Sequence, residues 1–199
     1  MSLKKAVFII ILVLLVDQIL KIYIKTHFAL GDKVEIFSWF SFWFIENEGM
    51  AWGAKIPGQY GKLILTLFRI GAILGIGYWL WTSTQKKAPG ILILSIALIF
   101  AGAFGNIIDS VFYGVIFNDS INQVASFMPP EGGYGTLFHG KVVDMFAFSF
   151  FNPVFNVADS SISIGVTLLI LFNKRAFPKK EKEATKEDVP PVSEEVSGS

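Results

Sequence analysis

Four apolar runs, each long enough to cross a bilayer as a helix, decide most of what this chain can become. They extend over about residues 6–24, 63–81, 90–109 and 154–173, and a helix needs roughly 17 to 25 residues to cross hydrocarbon. Inside a membrane every backbone polar group must be satisfied internally. The expected fold is therefore an all-α membrane protein with four transmembrane helices. Composition agrees, because 53% of the 199 residues are hydrophobic and the mean hydropathy is +0.56. A water-soluble domain of this size could not hide so much apolar surface. The first run follows Lys4 and Lys5, the outline of a cleavable signal peptide. Its length, the Asp17 and Lys21 within it and the lack of a small-x-small site after it favour a retained span.

Basic residues accumulate in cytoplasmic segments and so set the direction of the spans. With the N-terminus inside, the inner segments hold Lys4, Lys5, Lys86, Lys87, Lys174, Arg175, Lys179, Lys180, Lys182 and Lys186. The outer loops, 25–62 and 110–153, hold Lys25, Lys33, Lys55, Lys62 and Lys141 although they are the long ones. Both termini are expected in the cytoplasm. Aromatic residues from Trp39 to Trp52 partly alternate along the first outer loop, which predicts a small extracytoplasmic β-sheet at the membrane surface. The second outer loop contains Pro129-Pro130 and Gly132-Gly133, so its middle should be irregular and mobile. Residues 1–177 read as one integral membrane domain. Residues 178–199, rich in Lys, Glu, Pro and Ser, read as a disordered cytoplasmic tail dispensable for chemistry.

A net charge of +1 without a basic face gives no reason to expect nucleic acid. Cys is absent, which removes disulfides, thiolate nucleophiles and Cys-based metal sites. His27 and His139 are the only imidazoles, and no HExxH or other paired spacing supports a metal. No cofactor is expected.

A charge within a span is costly and is kept mainly for function or pairing. Asp17 has Lys21 four residues on, on the same helical face, where the two can pair; this reads as structural or lipid-contacting. Asp109 closes the third span one turn after Asn106, and Gly102 and Gly105 in that stretch allow close helix packing. Asp144 lies in the apolar string Val142-Val143-Asp144-Met145-Phe146, and Asp159 lies at the outer start of the fourth span. The topology, built from Lys and Arg alone, puts Asp17, Asp109, Asp144 and Asp159 in one outer slab. Plainer readings stand beside this. Asp159 or Asn156 can serve simply as a helix cap, Asp144 as an ordinary loop carboxylate, and Asn47 with Gly49 as a turn. If two carboxylates meet in a partly dry site, one stays protonated while the other ionises. Such a pair activates water against an amide with no covalent intermediate.

Five stretches carry a resemblance: Asp17-Gln18-Ile19-Leu20-Lys21, Asn47-Glu48-Gly49-Met50-Ala51-Trp52-Gly53, Gly102 through Asp109, Val143-Asp144-Met145-Phe146, and Phe155-Asn156-Val157-Ala158-Asp159. In this order, with four spans, the chain resembles lipoprotein signal peptidase, or signal peptidase II, a bacterial aspartic peptidase. The resemblance implies a catalytic pair of Asp144 and Asp159. It implies supporting roles for Asp17, Lys21, Asn47, Gly49, Gly102, Asn106, Asp109 and Asn156. Spacing alone does not choose this pair over Asp109. The implied substrate is a prolipoprotein bearing a diacylglyceryl-modified Cys and cut just before that Cys. The implied setting is the bacterial inner membrane, with the active site at the periplasmic leaflet, phospholipid around it and the protein acting as a monomer. Ser110 stands where the family usually has Arg after its Asn-x-x-Asp. The stretch from Asp109 to Asp144 is longer than the family's, and its insertion, about 118–139, is expected to form a flap over the acids.

Three rival readings stand against the aspartic one. A Ser–Lys peptidase would draw on Ser160, Ser161 or Ser163 with Lys141. An ion-coupled transporter would want its acids at mid-bilayer between repeated halves. A non-catalytic scaffold would tolerate Asp→Asn changes throughout.

Overall fold

The computed structural model of the chain describes residues 1–48 and 60–178. Gly49 and the stretch to Gly53 lie outside them, as does the tail from residue 179. Helix α1 spans Leu3–His27 and leads into strands β1, Lys33–Phe37, and β2, Phe40–Asn47. Helices α2, Gly61–Gln85, and α3, Gly90–Ile108, follow. The third helix does not stop at Asp109 as expected. It passes through a π-helical turn, Asp109–Tyr113, into the short α4, Gly114–Ile116. Strands β3, Val142–Phe148, and β4, Phe151–Phe155, then precede α5, Val157–Leu171, and α6, Asn173–Ala176.

Among the described residues three helices, Leu3–His27, Gly61–Gln85 and Gly90–Ile116, are long and apolar enough to cross a membrane. The fourth predicted span is realised as the 15-residue α5 with α6 after it. It begins later than position 154 because Val154 and Phe155 belong to β4, where Phe155 pairs with Phe146. The polarity is that of a protein in lipid. Phe8 on α1 and Phe68 on α2 are 68% and 73% exposed, whereas Lys21 is 0% exposed. In water this arrangement would be inverted.

Helix α3 is the hub, packed against α1, α2 and α5. Its approach to α5 requires glycine. A Cβ on Gly102 would strike the carbonyl oxygen of Ala158 and come within 2.7 Å of Ile162. A Cβ on Gly105 would lie 2.7 Å from an Asp17 carboxylate oxygen. Small residues are the usual means of bringing membrane helices this close.

The sheet is antiparallel in the order β1-β2-β3-β4. It is built from both long loops, whereas the sequence pointed only to the first. Turns of two residues join β1 to β2 and β3 to β4, and cross-strand rings such as Phe40 with Phe148 and Phe42 with Phe146 knit the strands together. By connectivity the sheet caps the ends where α1 and α3 finish and α2 and α5 begin. A bulge in the β2–β3 pairing lies between Phe42 and Ile45, next to Asp144, and such irregularities commonly re-aim side chains near a site.

Candidate active site

Strand alternation decides where Asp144 points. Val143 and Met145 enter the apolar cluster with Phe44, Tyr113 and Phe117. Their neighbours Val142 and Asp144 face the opposite way into a cleft of about 1020 Å³. Asp159 reaches the same cleft from the first turn of α5. Here the capping and site readings prove compatible. Asn156 is the N-cap of α5, accepting from the Asp159 N–H at 2.9 Å, while its own N–H donates to Asp159 Oδ2 at 3.3 Å. This is a reciprocal capping box.

Amide side chains join the two acids. Asn156 Nδ2 donates to Asp144 Oδ1 at 2.7 Å and to the Val143 carbonyl at 3.2 Å. Asn47, at the end of β2, donates to Asp144 Oδ2. Asn106 of α3 donates to Asp159 Oδ1 at 2.8 Å. The oxygen of Asn106 is held by Lys21 Nζ at 2.8 Å and by Asn156 Nδ2 at 3.2 Å. Each carboxyl is thus fixed by neutral donors from two different elements. Burial, followed by the negative charge of Asp159, pushes the Asp144 carboxyl up to about 8.

Asp17 and Asp109 are beneath the cleft and do not line it. Lys21 Nζ lies 3.0 Å from Asp17 Oδ2 and 2.9 Å from Asp109 Oδ2, with all three side chains buried. The predicted Asp17–Lys21 pair therefore forms, but in the protein interior and away from lipid. Asp17 Oδ1 also accepts from the Ala158 N–H of α5 at 2.8 Å, and Asp109 Oδ2 accepts from the Val143 N–H at 3.2 Å. Gln18 completes the cluster, donating to Asp109 at 3.0 Å and accepting from the Tyr113 hydroxyl at 3.1 Å. The cluster pins α1, α3, α5 and β3 together under the two acids.

Ser110 is buried and donates to the Asn106 carbonyl at 2.9 Å, so its hydroxyl serves its own helix. Ser160 and Ser163 do line the cleft, as does Lys141. However, the Ser160 hydroxyl donates to the Asn156 carbonyl at 2.9 Å, and Lys141 Nζ is 3.3 Å from Glu46 Oε2. Neither is engaged with the other as a Ser–Lys pair requires. Among the described residues no group of three His, Asp or Glu side chains is arranged to hold a metal ion.

The flap expectation fails. No residue from 118 to 140 lines the cleft. The insertion is docked elsewhere because Ser120 accepts from buried Lys25 Nζ at 2.9 Å and its backbone carbonyl accepts from the Leu30 N–H at 2.8 Å. Ala125 and Tyr134 pack into the apolar cluster behind β3. Arg69 of α2, which the sequence reading did not single out, lines the cleft. The rule that flags Asp17, a charge inside an apolar span, marks it equally well.

Comparison with known proteins places this architecture among relatives. The model of the family described as signal peptidase (SPase) II matches residues 9–174. The lipoprotein signal peptidase of Porphyromonas gingivalis strain ATCC 33277 is 42% identical to this chain over 213 residues, covering 94% of this chain and 93% of that protein. The lipoprotein signal peptidase of Amoebophilus asiaticus strain 5a2 is 31% identical, over 88% of this chain and 80% of that protein. A solved bacterial membrane enzyme structure at 2.3 Å resolution superposes with a TM-score of 0.65 and 26% identity, over 90% of this chain and 94% of that one.

Proposed function

The chain belongs to the signal peptidase II family, and from that premise we propose that it removes signal peptides from prolipoproteins with Asp144 and Asp159 as its catalytic pair. Cleavage falls just before the diacylglyceryl-modified Cys. The observation that carries the aspartic reading is the bridging amide of Asn156, bonded to Asp144 by its side chain and to Asp159 through the capping box.

The two acids divide the work. Asp144 is buried, raised to about 8, and therefore protonated at neutral pH; it donates a hydrogen bond to the scissile carbonyl oxygen. Asp159 accepts from Asn106 and from the Asn156 N–H at the N-terminus of α5, where the helix dipole favours negative charge. It carries the charge and takes a proton from the attacking water. The new C–O bond gives a tetrahedral centre whose oxygen is held by Asp144. When the C–N bond breaks, Asp159 returns its proton to the departing nitrogen of the modified Cys, leaving a carboxylate on the signal peptide. Asn47, Asn106 and Asn156 hold the geometry, with Asp17, Lys21, Asp109 and Gly102 as the support beneath.

The distribution of Lys and Arg supports an inner-membrane orientation with both termini cytoplasmic and the cleft at the periplasmic leaflet. The enzyme works as a monomer within phospholipid. Residues 1–177 form the catalytic unit, so truncation after 177 should leave cleavage intact. Gly49, outside the described residues, belongs to the same support by resemblance. The decisive test is cleavage of a purified lipid-modified precursor by wild type, Asp144→Asn and Asp159→Asn, with a chelator control. Persistent turnover in either variant removes that residue from the mechanism, and loss on chelation brings back a metal.

A further inference from the structure

We propose that Arg69 is a substrate-binding residue, its guanidinium gripping carbonyl oxygens of the precursor in the part of the cleft that lies below the membrane surface. The proposal rests on reading the cleft as the peptidase site. From Leu63 to Gln85 Arg69 is the only charged residue of α2. Keeping a guanidinium in an apolar span is costly unless it serves a partner or a pathway. The structure directs it into the cleft that Asp144, Asp159 and Asn106 also line. Yet among the described residues it forms no ion pair, while the other cation lining the cleft, Lys141, is held by Glu46. As far as the described residues go, its five N–H groups are therefore left for something that enters.

Depth and chemistry narrow what that is. Arg69 is eight residues inside α2, roughly 12 Å from that end of the helix. The cleft already carries Asp144, Asp159, Glu46 and Glu48, so a further anion is a poor ligand there. A signal-peptide helix crossing the bilayer alongside presents the unsatisfied carbonyls of its last turn, at the negative end of its dipole, close to the cut. The diacylglyceryl group presents two ester carbonyls at similar depth. Both are neutral oxygen acceptors, and the planar fork of a guanidinium takes two such oxygens at once where an ammonium offers only a point charge.

The test uses the full-length protein and a precursor carrying diacylglyceryl-modified Cys. Turnover is measured for wild type, Arg69→Lys, Arg69→Gln and Arg69→Met, and precursor affinity for the same substitutions in an Asp144→Asn background. Arg69→Gln and Arg69→Met should raise both KM and Kd by about ten-fold or more, with kcat within about three-fold and the pH profile unmoved. Arg69→Lys should fall between. A precursor with ether-linked chains separates the two carbonyl sources. An equal effect of Arg69→Gln on ester and ether precursors assigns the peptide carbonyls, and an effect confined to the ester precursor assigns the lipid. Arg69→Met relieves the span of a charge, so folding is not at risk. Unchanged KM and Kd overturn the proposal. So does a fall in kcat alone with a displaced pH profile, which would make Arg69 a charge partner of Asp159. Activity surviving in Asp144→Asn or Asp159→Asn would instead defeat the underlying mechanism, whatever Arg69 does.

Discussion

Asn156 Nδ2 lies 2.7 Å from Asp144 Oδ1 while Asn156 Oδ1 holds the backbone N–H of Asp159 at 2.9 Å, so one side chain is both a helix cap and the tie between two acids from different elements. Replacing it with Ala removes both at once. Loss of the cap costs about 1 kcal/mol of stability, whereas loss of alignment should lower kcat by about a hundred-fold or more. Thermal unfolding and turnover of Asn156→Ala separate the two effects. A variant that loses its cap but keeps kcat within about three-fold would show that the tie is not used in catalysis.

If Asp144 is the proton donor, activity should fall at high pH. With its carboxyl raised from 3.8 to about 8 by burial and Asp159, kcat/KM should decline as pH rises through about 8 and the donor to the scissile carbonyl is lost. Linkage gives the sign for stability. Between about 4 and 8 the folded protein binds a proton at Asp144 that the unfolded chain has released, so stability decreases across that window as pH rises. Asp144→Asn has no proton to lose there. Its melting temperature should fall less than that of the wild type between about pH 5 and pH 9, a range that covers most of that window. Parallel melting curves for the two proteins would refute the assignment.

Hydropathy made the spans legible because it is a local property averaged over many residues, but their ends are tertiary. Asp109 does not stop α3, because Lys21 from α1 satisfies its carboxylate and the helix continues past it. Val154 looks like the start of an apolar helix, yet β3 is adjacent and draws Phe151–Phe155 into the sheet. The same limit applies to the acids. Asp109 and Asp144 both sit among apolar neighbours and are indistinguishable locally. They differ in what reaches them from afar, a lysine beside an amide for one and amides alone for the other. The insertion misled through its Gly and Pro content, which reports turn chemistry but not the surface on which the turns dock.

Lys21 balances two carboxylates with no access to water. Replacing it with Met leaves Asp17 and Asp109 buried and uncompensated, which should destabilise the protein by about 3–5 kcal/mol. Adding Asp17→Asn and Asp109→Asn to Lys21→Met should recover much of the loss, because the cost lies in the orphaned charges. Chemical unfolding in detergent reads this directly. If Lys21→Met alone unfolds like the wild type, the cluster is not what holds α1 against α3 and β3.

Gly102 makes the most local prediction. A Cβ there would strike the carbonyl oxygen of Ala158, a backbone atom in the first turn of α5 that cannot rotate aside. The only relief for Gly102→Ala is for α5 to retreat from α3. Asp159 is the next residue along α5, and its carboxyl depends on Asn106 of α3 at 2.8 Å, so retreat lengthens the bond that orients it. Overpacking of this kind costs about 1–3 kcal/mol, and a displacement of about 1 Å at a reacting group can cost a hundred-fold in rate. Gly71 on α2 is the control, since a Cβ there meets nothing within 4 Å and Ala is the better helix former. Gly102→Ala should therefore lose most of its kcat while Gly71→Ala keeps it. Equal activity in the two would mean that the closeness of α3 and α5 is not what positions Asp159.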